Sequence, residues 1–556
     1  MVGMITKLRV LIEATIKDLY DLNIDVSFER PEEQFGDLST NVSFRLAKEL
    51  KRSPLDVAKE LSTKIKNDNI LEVNVAGAGF LNFKLANRAL MELARSEPSK
   101  PLEGKVVVVE YSDPNPFKVL HAGHLYTSVI GDGIANLIEV AGAKVYRVNF
   151  GGDIGLHVAK AVWGVISELG GELPDKLSSV KSNKAEWLSQ CYVKGNDAYE
   201  SDDKTKEDIK DLNKKIYKIA VSKDKESNLA KIYWTCRNWS YQYFNEFYSQ
   251  VGIKFDKYYP ESEVAEDGVK TVKDHMPDVY QLSQGAVIFD GEKYGLYKNV
   301  FINSKGVPTY AAKDVGLIIN KWQDYHFDKS VIITANEITD YMRVVLKSIE
   351  QFNEELVKRT VHLTHGLVKL VGAEKMSSRK GNILKASDIL DLAKKATAEH
   401  KLNSDQAVIV GAVKYSFIKQ SIGGDIIFNP SESVSIEGNS GPYLQYALVR
   451  ATSILSSLNN TELDMKDIDE FTKYERSLLL KIGEYHEVID LAVSELKPHY
   501  LATYLYDLAQ NFNRFYENSH VINDKREKFR GYLVKLYADR LASCLKLLGL
   551  ETVKKM

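Results

Sequence analysis

One stretch, Val106 to His124 (VVVVEYSDPNPFKVLHAGH), limits what this chain can fold into more than any other. Four valines and Glu110 read as a short strand, apolar enough to be buried on both faces. Pro114 and Pro116 forbid regular structure, so Ser112–Pro116 is a turn. His121-Ala122-Gly123-His124 then heads a segment with helical spacing: Leu125, Val129, Ile134, Leu137, Ile138, Ala141. A second strand-like run, Val145 to Phe150, follows, and the whole reads as strand, helix, parallel strand. Two histidines and a glycine thus open a helix at the carboxyl end of a parallel strand, where backbone N–H groups and the helix dipole attract phosphate.

At 556 residues the chain needs more than one core. Lys plus Arg (74) balance Asp plus Glu (76) to a formal charge of −2, so global charge announces no nucleic-acid partner. Cys191, Cys236 and Cys544 are far apart, which supports neither a disulfide framework nor a cysteine zinc site and suits a reducing compartment. Lys7, Arg9, Glu13 and Lys17 break the first apolar run, unlike a signal peptide, and no uncharged run reaches membrane-spanning length. A cytoplasmic protein is expected.

Residues 1–98 read as a separate α+β unit. Helical spacing (Leu8, Leu11, Ile12, Ile16, Leu19) opens it, and Val73–Val75 with Phe80–Phe83 suggest a hairpin across Gly77 and Gly79. Ser96 to Pro101 is a linker. Residues 165–235 interrupt the doubly wound region with a lysine- and acid-rich helical stretch, either a tRNA or protein contact or, as its mixed signs favour, a solvated insertion. Parallel-sheet character returns at Ser330–Thr334 and Val361–Val368. From about residue 386 the reading is helical to the end. Stripes at Leu444, Leu448, Ala451, Leu455, Leu458 and at Leu501, Leu505, Leu508, Phe512, Phe515 argue for a C-terminal helix bundle.

His121 and His124 project from one side of a first helical turn. They are either a turn-capping pair, half of a metal site with His362 and His365, or contacts to a nucleotide's phosphates, with Gly123 leaving room for an adenine ring. The metal reading conflicts with strand geometry, which sends residues three apart to opposite faces. A second stretch, Lys375-Met376-Ser377-Ser378-Arg379-Lys380-Gly381, puts three cations and two hydroxyls in a loop ahead of a helix starting near Ser387.

HAGH followed by KMSSRK resembles the paired HIGH and KMSKS motifs of class I aminoacyl-tRNA synthetases, with Arg379 where a second lysine is usual and Lys380 beside it. The resemblance narrows to the arginyl-tRNA synthetases. Glu110 to Asn115 (EYSDPN) is similar to that family's E-x-S-x-P-N run, and Asn149 to Gly155 (NFGGDIG) to its N-x-x-G-D-x-G. Thr309 to Asp314 (TYAAKD) looks like its Y-A-x-x-D arginine-reading element, and Ser440 to Ala447 like the opening of its anticodon-binding domain. Phe35-Gly36-Asp37 with the Val73–Phe83 hairpin resembles its N-terminal tRNA-elbow module, and the terminus from Leu548 to Met556 also fits.

The resemblance implies an α/β multidomain protein: an N-terminal α+β module (1–98), a class I Rossmann-like catalytic domain (103–385) with the 165–235 helical insertion, a helical connector (386–430) and a helical anticodon-binding domain (431–556). It implies ligation of L-arginine to tRNA(Arg) with ATP and Mg²⁺, through arginyl-adenylate, with activation that requires bound tRNA. His121, His124, Lys375, Arg379 and Lys380 would neutralise triphosphate charge, and Gly123, Met376, Ser377 and Ser378 would line the ATP site. Tyr310 and Asp314, four apart on one helical face, would read the guanidinium, which needs acceptors in fork geometry. Glu110, Ser112 and Asn115 would hold the α-ammonium and carboxylate, with Glu261 near the guanidinium and Glu337 where the family usually has glutamine. Tyr446, Arg450, Tyr516 and His520 would meet anticodon bases, the last two being four apart on one face. No protein-bound structural metal is expected, and a monomer is the family-like default. The alternatives are a class I synthetase for another amino acid, a tRNA-binding protein without activity, and a zinc enzyme built on the four histidines.

Overall fold

The computed structural model describes residues 4–181, 183–372, 384–402, 405–458 and 470–556. Five parallel strands form the central sheet: β1 (Val106–Glu110), β2 (Lys144–Gly151), β3 (Lys257–Pro260), β4 (Lys329–Ala335) and β5 (Thr360–His365), ordered β5-β4-β1-β2-β3. The chain runs outward from β1 through β2 to β3, then returns to place β4 on the other side of β1. That reversal creates a crevice at the strands' carboxyl ends, where open α/β sheets bind ligands.

The valines of β1 divide between two cores. Val107 and Val109 pack toward helix α1 (Ala122–Val140), and Val108 packs toward α2 (Glu261–Asp274) and α3 (Tyr310–Tyr325). Full burial of each side chain contributes about 1.5–3 kcal/mol, which explains why no polar residue interrupts the run. The stripe expected from Leu125 to Ala141 lies buried along α1 and just past its end.

The N-terminal module has its own core beneath an antiparallel sheet in which Val73 pairs with Phe83. Its hairpin turns at Gly77 and Gly79, both at positive φ, and a Cβ on Gly79 would strike the Pro54 carbonyl at 2.8 Å. Over 165–235 the chain passes through parts of four helices, Leu156–Leu169, Lys184–Ser201, Asp203–Ser222 and Asn228–Gln250, with a short 3-10 helix at Pro174–Ser179.

Two sequence expectations change. The strand expected over 361–368 is broken: β5 stops at His365, and Val368–Leu370 (β6) joins a different, two-stranded sheet. Its partner is β7 (Ile426–Phe428), so the chain beyond 386 is not wholly helical. A three-residue strand is too short to display alternation. An antiparallel sheet of Gln281–Ser283, Ala286–Phe289 and Asn299–Ile302, inserted between α2 and α3, also escaped sequence reading.

Helix α4 (Ala386–Glu399) and the helix Gln406–Ile418 lead into a bundle of α5 (Gly441–Ser456), α6 (Lys473–Gly483), Tyr485–Glu495, α7 (His499–Asn518) and α8 (Glu527–Leu547). The stripe residues Leu444, Leu501, Leu505, Leu508, Phe512 and Phe515 share one continuous core with α1. The bundle therefore packs directly behind the helix that carries the two histidines. Among the described residues, no helix is long and apolar enough to cross a membrane.

Candidate active site

The HAGH turn is built by the histidines themselves. His121 is the N-cap of α1; its Nδ1 accepts the His124 backbone N–H, and His124 Nδ1 accepts the His121 N–H, each at 3.2 Å. The rings stack with centroids 3.6 Å apart. A Cβ on Gly123 would lie 2.9 Å from His121 Nδ1, so glycine first makes room for that ring. Burial, reinforced by the Lys118 charge, lowers His121 to about 4 and His124 well below its usual value. Both rings are neutral at pH 7. Since each Nδ1 is an acceptor, each proton sits on Nε2, and the helix start presents two neutral donors. The Thr127 hydroxyl, bonded to Gly123 O at 2.8 Å and to His365 Nε2 at 2.7 Å, braces the turn from below. His362 faces elsewhere and bonds Thr334 Oγ1 at 2.7 Å, so it and His365 do not complete a four-histidine metal set.

Lys375, Met376, Ser377, Ser378, Arg379, Lys380 and Gly381 lie outside the described residues. The residues that follow them are tied to HAGH. Ala122 N–H donates to Leu384 O at 2.8 Å, and Ala386 N–H donates to Leu120 O at 2.9 Å. The 165–235 insertion grips the same place. Glu186 takes Lys385 Nζ on both carboxylate oxygens at 2.8 Å, Ser189 Oγ accepts Val119 N–H at 2.8 Å, and Lys118 Nζ lies 3.8 Å above the Tyr192 ring.

Across the crevice stands an acidic pocket. Asp314, one turn into α3, is buried and accepts the Tyr341 hydroxyl. Burial, with Glu110 and Glu261 adding to it against the Tyr341 hydroxyl, pushes its carboxyl up to about 7. Tyr310, at the head of the same helix, is 54% exposed, its hydroxyl 3.4 Å from His157 Nδ1. Glu261 begins α2 and receives Lys313 Nζ at 2.5 Å. Glu110 is bonded to Lys321, which is fully buried and also reaches Ser330 Oγ at 3.4 Å. Asp113, held by the Phe150 N–H at 2.7 Å, is driven well above the usual carboxylate range by burial and then by Glu110.

The turn after β1 is positioned by β2. Asn115 Oδ1 lies 2.1 Å from where a Cβ on Gly152 would sit, and Glu261 Oε1 lies 3.4 Å from the same point, so glycine lets both side chains meet there. Ser112 Oγ pairs with Tyr248 OH at 2.7 Å. Asp153 accepts Ser262 N–H at 2.9 Å and Arg237 Nε at 2.7 Å, which fixes the start of α2 and with it Glu261. Glu337 is exposed on the turn after β4.

In the bundle, the Arg450 guanidinium lies 5.0 Å over Tyr446 and 5.6 Å over Tyr516, and its Nη1 donates to Asn513 Oδ1 at 3.1 Å. His520 does not share a helical face with Tyr516: α7 ends at Asn518 and Ser519 is extended. Its carbonyl instead accepts Arg530 Nη1 at 2.6 Å.

Sequence reasoning missed Lys313, Lys321, Asp113, Tyr341 and Tyr248. The two lysines carry no sequence signal, because a cation on a helix reads as solvated until its burial is known.

A parallel sheet with HAGH at its switch point is the class I tRNA synthetase catalytic fold expected from the motifs, flanked here by an N-terminal module and a helical bundle. The family described as tRNA synthetases class I (R), catalytic domain, matches residues 87–429. A DALR anticodon binding domain matches 444–556, and an arginyl tRNA synthetase N-terminal domain matches 6–85. Similar proteins include an arginine–tRNA ligase of Clostridium perfringens, 29% identical over 98% of this chain and 99% of that one. Another, of Borreliella afzelii, is 29% identical over 97% and 95%. The arginyl-tRNA synthetase of Thermus thermophilus shares the fold with a TM-score of 0.80, at 23% identity and 99% coverage of both chains. The chain belongs to the arginine family of class I tRNA synthetases.

Proposed function

We propose that the chain joins L-arginine to tRNA(Arg) in two steps on the HAGH crevice, using ATP as its magnesium complex. An arginine carboxylate oxygen attacks the α-phosphorus, the bond to the bridging oxygen of pyrophosphate breaks, and arginyl-adenylate remains. The carboxylate is already ionised, so the protein transfers no proton here. Its work is positioning and meeting charge as it moves onto the leaving oxygens. The Nε2–H groups of His121 and His124 donate to the phosphates as neutral hydrogen-bond donors. Lys375, Arg379 and Lys380 supply cations from the KMSSRK stretch, beyond which Leu384 and Ala386 are bonded to Ala122 and Leu120.

Asp314 takes the guanidinium as a fork, with the Tyr310 ring against the aliphatic stem. Asn115 and the end of β1 hold the α-ammonium and carboxylate. In the second step the 2′-hydroxyl of the terminal adenosine attacks the arginyl carbonyl carbon, the bond to the adenylate phosphate oxygen breaks, and the hydroxyl proton passes to the departing AMP phosphate. Tyr446, Arg450 and Tyr516 stack anticodon bases on the bundle, and bound tRNA is required for activation. Three buried free thiols suit a cytoplasmic enzyme, and we assign a monomer.

The observation that carries this reading is the buried Asp314 carboxyl, one turn from Tyr310 on α3 and flanked by Glu110 and Glu261. Pyrophosphate exchange measured with each of the twenty amino acids, with and without total tRNA, tests it. Exchange with arginine alone, dependent on tRNA, is expected. Exchange with another amino acid overturns the substrate assignment.

A further inference from the structure

The pocket that faces the guanidinium contains a cation of its own. Lys313 and Asp314 are consecutive residues of the first turns of α3, and both are buried. An ammonium buried without a partner is prohibitively costly, so what surrounds Lys313 Nζ is informative. It bonds Glu261, which is itself 2% exposed, and it lies 5.0 Å from the centre of the Tyr310 ring. The remaining groups facing it are Asp314 on its own helix and His157 beyond Gly155; a Cβ on Gly155 would sit 3.9 Å from Nζ.

The placement is rigid. Helices α2 and α3 cross at Gly268 and Gly316, where a Cβ would lie 1.9 Å from Ala312 O and 2.2 Å from Val264 O respectively. The glycines let the backbones touch, and that contact sets Glu261 opposite Lys313. Neither side chain can swing away without leaving a buried charge alone.

Resting on the arginine reading above, we infer that Lys313 is a specificity-determining residue whose fixed ammonium occupies Glu261 and repels a substrate ammonium, leaving Asp314 to a guanidinium. Lysine is the cationic amino acid most in need of exclusion. Its head group is a compact, strongly hydrated point charge that gains most by sitting between two carboxylates. With Lys313 in place, one of those carboxylates is already neutralised and the approach passes a like charge. A guanidinium spreads its charge over a plane and recovers the repulsion through two parallel N–H···O bonds to one carboxylate. Specificity then comes from an unfavourable contact with the competitor as well as a favourable one with the substrate.

The test compares arginine and lysine in tRNA-dependent aminoacylation by the wild type, Lys313→Met, Lys313→Arg and the double variant Lys313→Met/Glu261→Gln. In Lys313→Met, the arginine-to-lysine ratio of kcat/KM should fall by about tenfold or more. The double variant removes both charges and should regain most of that ratio, as should Lys313→Arg. An unchanged ratio in Lys313→Met, or a double variant that discriminates as poorly as the single one, overturns the inference. If Lys313→Met does not fold, the ratio is read on Lys313→Gln with the same two outcomes. A wild type that charges no arginine at all defeats the proposed function and is distinguishable from either result.

Discussion

His121 and His124 hold each other in place: each backbone N–H is donated to the other's Nδ1 at 3.2 Å, so capping the helix and aiming two Nε2–H donors are one arrangement. Cap and donor are separable by substitution. In His121→Asn the side-chain oxygen can still accept the His124 N–H, but nothing replaces Nε2–H. Thermal stability should therefore stay near wild type while kcat for pyrophosphate exchange drops about 10²–10³-fold, the usual effect of losing one transition-state donor. His121→Ala should lose that activity and also about 1 kcal/mol of stability from the cap. Equal stability losses in both variants would show that the Asn side chain does not cap.

The same burial makes a pH prediction. His121 and His362 are lowered to about 4 and His157 to about 3, whereas an unfolded chain protonates histidine near 6.5. Between those values the unfolded state binds protons that the folded state refuses. The contribution to stability is intact above about pH 6.5 and is lost as pH falls toward 4. Urea midpoints measured from pH 7.5 to 4.5 should decline across that window, less steeply in His121→Asn. Parallel profiles for variant and wild type would contradict the assignment.

Asp314 should report arginine binding through its proton. Its carboxyl is held up to about 7 by burial and the neighbouring carboxylates, and a guanidinium beside it favours the ionised form. Binding at pH 7 or below therefore releases a proton, and arginine KM should rise roughly tenfold per pH unit below 7. Asp314→Asn should raise arginine KM about a hundredfold, leave ATP KM within about twofold, and abolish the pH dependence. A KM independent of pH between 6 and 8 in the wild type would count against Asp314 as the partner.

Glu186 and Lys385 join the insertion to the residues that follow the KMSSRK motif. Both side chains are about one-third exposed, so the pair is worth only about 0.2–1 kcal/mol. Its effect should show in kcat rather than in stability. Glu186→Lys should lower kcat for exchange several-fold, and adding Lys385→Glu should restore it. A charge swap that fails to rescue would make the insertion a bystander.

Much of the catalytic core was legible in the sequence because local and tertiary signals agreed there. The four valines of β1, the proline turn and the α1 stripe each have one comfortable structure, whereas Tyr310 and Asp314 stood out only through their resemblance to the Y-A-x-x-D element, helical spacing adding that they share a face. The electrostatics were not legible. Lys313, Lys321 and Asp314 look like exposed helix charges until α3 packs against its neighbours, Lys313 on Glu261 of α2, Lys321 on Glu110 at the end of β1, and Asp314 on Tyr341. Tyr516 and His520 failed for the opposite reason: a spacing of four means a shared face only while the helix lasts, and α7 stops between them. The sheet order, the short β6–β7 pair and the grip of Glu186 on Lys385 depend on contacts between residues far apart in the chain, which periodicity does not record.

The central claim is that the HAGH turn and the first turns of α3 face the two ends of one bound intermediate. A crystal structure with an inert analogue of arginyl-adenylate tests it most directly. The account predicts the guanidinium forked on Asp314 and phosphate oxygens within about 3 Å of Nε2 of His121 or His124. An analogue whose arginine end points away from α3, or whose phosphate sits beyond reach of both rings, would contradict it.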